Sequence, residues 1–210
     1  MPRKRPADPD AARRILQAAM DLAAEQGWRD LPLETVAGRA GVPLADLLRR
    51  FPSRQDILAG LAEAADAAML DEEGDADRGE PPRDRVFDRI MRRFDALLPF
   101  RPGLRRVAEE LPRDPLALLP VLPRLSRSMA WTLEAAGIPA GGLRGLLAVK
   151  ALSVVYLRAM RVWFTDDSAD LSRTMASVDA QLRRLEEMSP LLRPRARGGA
   201  GPAAESSASG

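Results

Sequence analysis

Residues 33–51 run Leu33-Glu34-Thr35-Val36-Ala37-Gly38-Arg39-Ala40-Gly41-Val42-Pro43-Leu44-Ala45-Asp46-Leu47-Leu48-Arg49-Arg50-Phe51. Leu33, Val36, Ala37 and Ala40 recur at the three- and four-residue spacing that puts side chains on one face of a helix. Gly41 follows with the residue that tolerates positive φ, Val42-Pro43 turns the chain, and a second short helix is expected over 44–50. Two helices joined this tightly need a small residue where they touch, a turn residue free to take positive φ and an apolar anchor beyond it. Ala37, Gly41 and Val42 supply these in order, so the stretch reads as a helix-turn-helix.

The pattern extends in both directions. Upstream, Ile15, Ala18, Ala19, Leu22 and Ala23 form an apolar stripe over 10–25, with Asp8 or Asp10 as candidate caps and Gly27 suited to its end. Downstream, Pro52-Ser53 breaks and caps a longer helix over 54–70 that buries Ile57, Leu58, Leu61 and Ala65. Further helices are expected over 83–98, 103–110, 124–136, 141–164 and 168–187, with a Pro-interrupted region at 115–123. No stretch sustains the alternation of a strand. The expected fold is all-α: a small N-terminal bundle followed by a larger one, roughly nine helices altogether.

Composition removes several function classes. The 210 residues include no His and no Cys, which excludes disulfides, thiolate nucleophiles, Cys or His zinc sites and His-based triads. Thirty-two basic and thirty acidic side chains leave a net charge of only +2. Its distribution is uneven: residues 61–85 carry three basic against nine acidic groups, whereas residues 86–190 carry sixteen against twelve. The acidic excess centres on Asp71-Glu72-Glu73-Gly74-Asp75-Ala76-Asp77, and 71–82 reads as an exposed loop. Residues 1–9 form a short basic arm around Arg3-Lys4-Arg5, without the apolar stretch of a signal peptide. Residues 190–210, rich in Arg/Pro and then Gly/Ala/Ser, read as a disordered tail. The longest apolar run, 146–157, is too short to span a membrane and is broken by Lys150, so a cytoplasmic location is expected. Two units remain: 10–62, holding the helix-turn-helix, and 63–189, a helical bundle.

The segment from Leu33 to Val42, then Leu47 and Phe51-Pro52-Ser53-Arg54-Gln55-Asp56-Ile57-Leu58, resembles the N-terminal domain of TetR-type transcriptional regulators. Arg14-Ile15-Leu16-Gln17-Ala18-Ala19 and Glu25-Gln26-Gly27-Trp28 match as well, extending the resemblance over 10–62. It implies a regulator without enzymatic activity or cofactor, acting as a homodimer on operator DNA. The helix over 44–50 would enter the major groove, and the contacts implied are Thr35, Pro43, Leu44, Ala45, Arg49, Arg50 and Arg54, with phosphate contacts from the basic arm. Three positions depart from the family pattern: Leu48 stands where a phosphate-binding Tyr is usual, Leu44 at a polar recognition position, and Asp46 adds a charge that repels phosphate.

A second resemblance covers 115–187. Trp131-Thr132-Leu133-Glu134-Ala135-Ala136-Gly137-Ile138, Trp163, Asp166-Asp167-Ser168-Ala169-Asp170 and Thr174 are similar to lipid-binding accessory proteins of ubiquinone biosynthesis, which share the TetR fold. That alternative implies an isoprenoid tunnel, although the tail from Leu191 lacks the amphipathic helix such proteins carry. Either reading allows an apolar small-molecule or lipid ligand in the bundle interior, with Phe94, Met129, Lys150, Val154 and Met160 as candidate lining. An ordinary filled core fits the same residues. The Asp166–Asp170 cluster is expected to cap the last helix through Asp167 or Ser168 rather than to bind metal. Two apolar stripes, one through Leu146, Val149, Tyr156 and Trp163 and one through Leu171, Val178, Leu182 and Leu185, are the expected dimer surfaces.

Overall fold

The computed structural model describes residues 10–71, 79–114 and 118–188. The basic arm, the centre of the acidic loop and the 190–210 tail lie outside the described residues. Among those described there are nine α-helices and no strands. They are α1 (Ala11–Gln26), α2 (Leu33–Ala40), α3 (Leu44–Arg50), α4 (Arg54–Leu70), α5 (Pro82–Leu97), α6 (Arg101–Glu110), α7 (Val121–Ala135), α8 (Gly142–Trp163) and α9 (Ser172–Met188).

Helices α1–α3 and the first half of α4 close around Ile15, Ala19, Leu22, Val36, Leu47 and Ile57, all nearly or fully buried. α4 then continues into the second bundle, where its buried Ala65, Asp66 and Met69 meet α5 and α7. One continuous helix therefore belongs to both cores. Ser53 and Asp56 form a reciprocal capping box at its start, as the Pro52-Ser53 pair predicts. α1 lies across α6, and Gly103 makes the close approach possible: a Cβ there would sit 2.3 Å from the Met20 carbonyl oxygen.

The centre of the second bundle is an aromatic stack. The Phe94 ring lies 5.2 Å from Tyr156 and 5.4 Å from Trp163, centroid to centroid. Beside it runs a buried polar network: the Arg93 guanidinium pairs with Asp66 and donates to the Tyr156 hydroxyl (3.1 Å), while Ser128 Oγ donates to Asp66 (2.7 Å). These four residues tie α4, α5, α7 and α8 together at one level.

Several boundaries differ from the sequence reading. α5 begins at Pro82 and α6 at Arg101, because proline fits the first helical turn, where its missing N–H has no partner to lose. α7 likewise starts at Val121, with Pro123 inside its first turn. Asp10 takes the N-cap position of α1 but makes no side-chain cap bond. The largest shift is at α9, which begins at Ser172 rather than near Ser168. Neither Asp167 nor Ser168 caps it. Two aspartates upstream take its first N–H groups: Asp170 accepts Ser172 N–H (3.1 Å), and the fully buried Asp166 accepts Thr174 N–H (2.7 Å) and Thr174 Oγ1 (2.6 Å), along with the backbone and hydroxyl of Ser168. Burial alone pushes this carboxyl up, but the hydrogen bonds from Ser168 and Thr174 outweigh it and hold Asp166 well below the usual carboxylate range.

The dimer stripes also need correction. Val149, Tyr156 and Trp163 of α8, and Leu171, Val178 and Leu182 of the α9 stripe, are all buried inside the protomer. α8 is apolar on two opposite faces, and hydrophobic spacing alone did not show which of them turns inward. Its outer face carries Leu143, 74 % exposed, with Leu146, Leu147, Val154 and Leu157, each between 43 % and 49 % exposed.

Candidate nucleic-acid interface

The turn between α2 and α3 is fixed by its own backbone. Gly41 adopts φ 65° and ψ 35°, in the left-handed region. Its N–H bonds the Gly38 carbonyl (3.2 Å) while Val42 N–H reaches back to Ala37 (3.0 Å), which together make a Schellman closure. Pro43 is extended, and its carbonyl accepts Asp46 N–H (2.9 Å) and Leu47 N–H (3.1 Å), starting α3. Arg14 of α1 reaches over to donate to the Ala40 carbonyl (3.2 Å), occupying an acceptor at the end of α2. Leu47, fully buried, and Phe51 anchor α3 against the small core.

With Leu47 pointing inward, α3 presents an outer face made of Pro43, Leu44, Ala45, Leu48, Arg49 and Arg50, all exposed. Thr35 of α2 is exposed as well. Asp46 is half-buried and ion-paired with Arg49 one turn on. Arg54 is drawn away from this face: its guanidinium donates to the Trp28 carbonyl (2.9 Å) and fastens the α1–α2 loop to α4. Arg39 is bound to Glu25 through two hydrogen bonds of 2.9 and 2.8 Å. These bonds hold the Glu25 carboxyl below its ordinary range.

Besides the shared α4 and the α1–α6 packing, one carboxylate fastens the α1–α2 loop to the bundle. Glu110, the last residue of α6, accepts the backbone N–H groups of Trp28 (3.0 Å) and Arg29 (2.9 Å) and pairs with Arg106 (2.8 Å). Trp28 and Arg29 lie about eighty residues before Glu110, a separation no local sequence pattern registers. A cleft of about 560 Å³ opens at this junction, lined by Leu31, Pro32, Arg29, Glu110 and Arg113 among others.

The five candidate pocket residues do not share a cavity. Phe94 and Met129 are fully buried in the packed core, Met160 is half-buried against it, and Lys150 and Val154 face outward from α8. A lysine in an apolar run takes the solvent side of its helix because desolvating an ammonium is costly.

A buried-anchor turn, a short exposed helix and a helical bundle behind them define a helix-turn-helix fold. Residues 15–61 match the model of bacterial regulatory proteins of the tetR family. No curated protein matches the chain. Among solved structures, a TetR transcriptional regulator from Nitrosomonas europaea ATCC 19718 superposes with a TM-score of 0.70 at 25 % identity, covering 86 % of this chain and 99 % of the other. A TetR transcriptional regulator from Rhodococcus sp. RHA1 gives 0.54 at 23 % identity, covering 85 % and 98 %. A tetR-family transcriptional regulator from Streptomyces coelicolor gives 0.55 at 18 %, covering 89 % and 88 %. Residues 15–61 thus match the N-terminal domain of the tetR family, and over most of its length the chain has the fold of these solved TetR regulators. No described helix is long and apolar enough to cross a membrane.

Proposed function

We propose that the protein is a homodimeric, DNA-binding transcriptional repressor whose α3 enters the major groove. The observation that carries this reading is the outer face of α3, held rigidly by the Gly41 turn and the Leu47 anchor and flanked by Arg49 and Arg50. Arg49, Arg50 and Thr35 are positioned for phosphate or base-edge contact, with Pro43, Leu44 and Ala45 at the leading end of the helix. Arg54 supports the same interface indirectly, through Trp28.

A dimer supplies the second recognition helix, since half-sites in successive major grooves lie about 34 Å apart. The outer stripe of α8 is the surface we assign to that contact. Five exposed aliphatic side chains flank the exposed Lys150 on one helix face, and association would remove their apolar surface from water. A small apolar ligand fits the same scheme through α4, which is shared by both cores: any repacking around Phe94, Met129 or Met160 displaces the helix that carries α3. The solved relatives are regulators, and no observation favours the lipid-carrier alternative.

The test is fluorescence anisotropy with the full-length protein, at two salt concentrations, against duplexes from upstream of its own and neighbouring genes. Preference for one duplex over random sequence, with affinity falling steeply as salt rises, supports the reading. Equal affinity for all duplexes refutes it.

A further inference from the structure

The recognition face is chemically unusual for a surface meant to read base edges. Pro43, before the helix, has no N–H, and Leu44, Ala45 and Leu48 have no polar side-chain atom. The nearest carboxylate, Asp46, is engaged with Arg49. Hydrogen-bonding side chains enter only at the far end, with Arg49 and Arg50. Leu44 and Leu48 are nevertheless 38 % and 40 % exposed, on a helix whose third leucine, Leu47, is fully buried. They stand one turn apart on the same side, about 6 Å along the axis. The surrounding surface is polar and basic, with Thr35, Arg49 and Arg50 at its edges.

In the major groove, each base pair shows donors and acceptors, and the one apolar group is the thymine C5-methyl. The part of the face made by Leu44, Ala45 and Leu48 has no side-chain donor, so what it can favour there is the methyl it packs on. It also penalises G·C pairs, whose polar edges lose water against leucine and gain no hydrogen bond. The 6 Å separation of Leu44 and Leu48 matches roughly two base-pair steps of about 3.4 Å. We propose that this protein reads its half-site through thymine methyl groups, with Leu44 and Leu48 each seated on one and Ala45 packed between them. The arginines then set register on the phosphates and on neighbouring bases. This inference rests on the DNA-binding reading above and adds the base chemistry to it.

The experiment uses the full-length wild-type protein. Preferred half-sites are selected from a random duplex library, and each thymine of the selected site is then replaced singly by deoxyuridine. That exchange deletes the methyl and leaves the Watson–Crick pairing and the O4 acceptor intact. Affinity is expected to fall about fourfold at each of two thymines, the equivalent of ~0.8 kcal/mol at 1.4 kcal/mol per tenfold. The Leu44→Ala protein is expected to lose the response at one of those positions and keep it at the other. Specific binding with every deoxyuridine duplex within experimental error of its thymine parent overturns the methyl reading and leaves the regulator standing. Absence of any selected sequence overturns both. Retention on duplex of no sequence, with binding instead to a protein partner through α3, also overturns it.

Discussion

Gly103→Ala tests how tightly the two units are joined. Gly103 lies in α6 where it crosses α1, and the added Cβ would meet Met20 carbonyl oxygen at 2.3 Å, Met20 Cα at 2.7 Å and the Met20 carbonyl carbon at 2.8 Å. All three are backbone atoms, so no side-chain rotation relieves the clash. Carbon atoms settle at roughly 3.5–4.0 Å, and the two helices must therefore separate by about 1 Å. Overpacking of this kind costs about 1–3 kcal/mol. Separation also stretches the bonds that Glu110 makes to Trp28 and Arg29, now 3.0 and 2.9 Å, and charge-assisted bonds contribute about 1.5–3 kcal/mol each. Against this stands a gain of about 0.5–1 kcal/mol from replacing a helical glycine. The net expectation is a loss of about 2–4 kcal/mol, or about 4–16 °C in melting temperature for a chain of this size. Gly38→Ala is the matched control. It lies within α2, a Cβ there meets nothing within 4 Å, and it should raise the melting temperature by about 1–4 °C. Both are read by circular-dichroism melts. If Gly103→Ala matches Gly38→Ala in sign and size, the α1–α6 contact is not what holds the units together.

Three further perturbations separate the remaining elements. Arg93→Met leaves Asp66 buried with only Ser128 beside it, and urea unfolding should show a loss of about 3–5 kcal/mol, largely recovered in the Asp66→Leu/Arg93→Met double variant; an unchanged single variant would refute the role given to the network. Asp166 has a folded pKa below its unfolded value of about 3.9, so its contribution is full above that value and is lost as pH falls through the folded pKa. The stability gap between wild type and Asp166→Ala, about 2 kcal/mol at pH 7, should therefore narrow steadily as pH is lowered from 5 towards 2, and a gap independent of pH would contradict the assignment. L143E/L147E places four carboxylates across the assigned dimer face and should weaken dimerisation at least about a hundredfold by light scattering after gel filtration, with the monomer's helicity unchanged.

What was legible in the sequence follows the distance over which each interaction acts. The α2–α3 turn is dictated within seven residues, Ala37 to Pro43: a glycine in the left-handed region, two backward hydrogen bonds and a proline that sets the next helix. The Ser53–Asp56 box is equally local. The start of α9 was not legible, although the polar residues that suggested an earlier start are all there. Asp166 reaches eight residues forward to Thr174, and the chain between them must loop out, carrying Leu171 into positive φ (55°) before the helix begins. Local capping preference favoured Ser168. A buried carboxylate with several donors outweighed it.

The same reasoning explains which site residues changed meaning. The motif set Arg54 beside the groove, but an arginine side chain is long enough to find whichever carbonyl tertiary packing leaves open, and here that is Trp28. The motif also gave no way to tell the two apolar faces of α8 apart, because both have helical spacing. What decided between them was the second bundle's need to bury Tyr156 and Trp163 against Phe94, which spends one face and leaves Leu143, Leu146, Leu147, Val154 and Leu157 outside. The exposed leucines of α3 arise from the opposite situation. The small core around Leu47 is already complete, and among the described residues nothing covers Leu44 and Leu48. Apolar side chains left outside a finished core gain by finding a partner elsewhere: the partner proposed for α8 is a second copy of the chain, and the one proposed for α3 is the floor of the major groove.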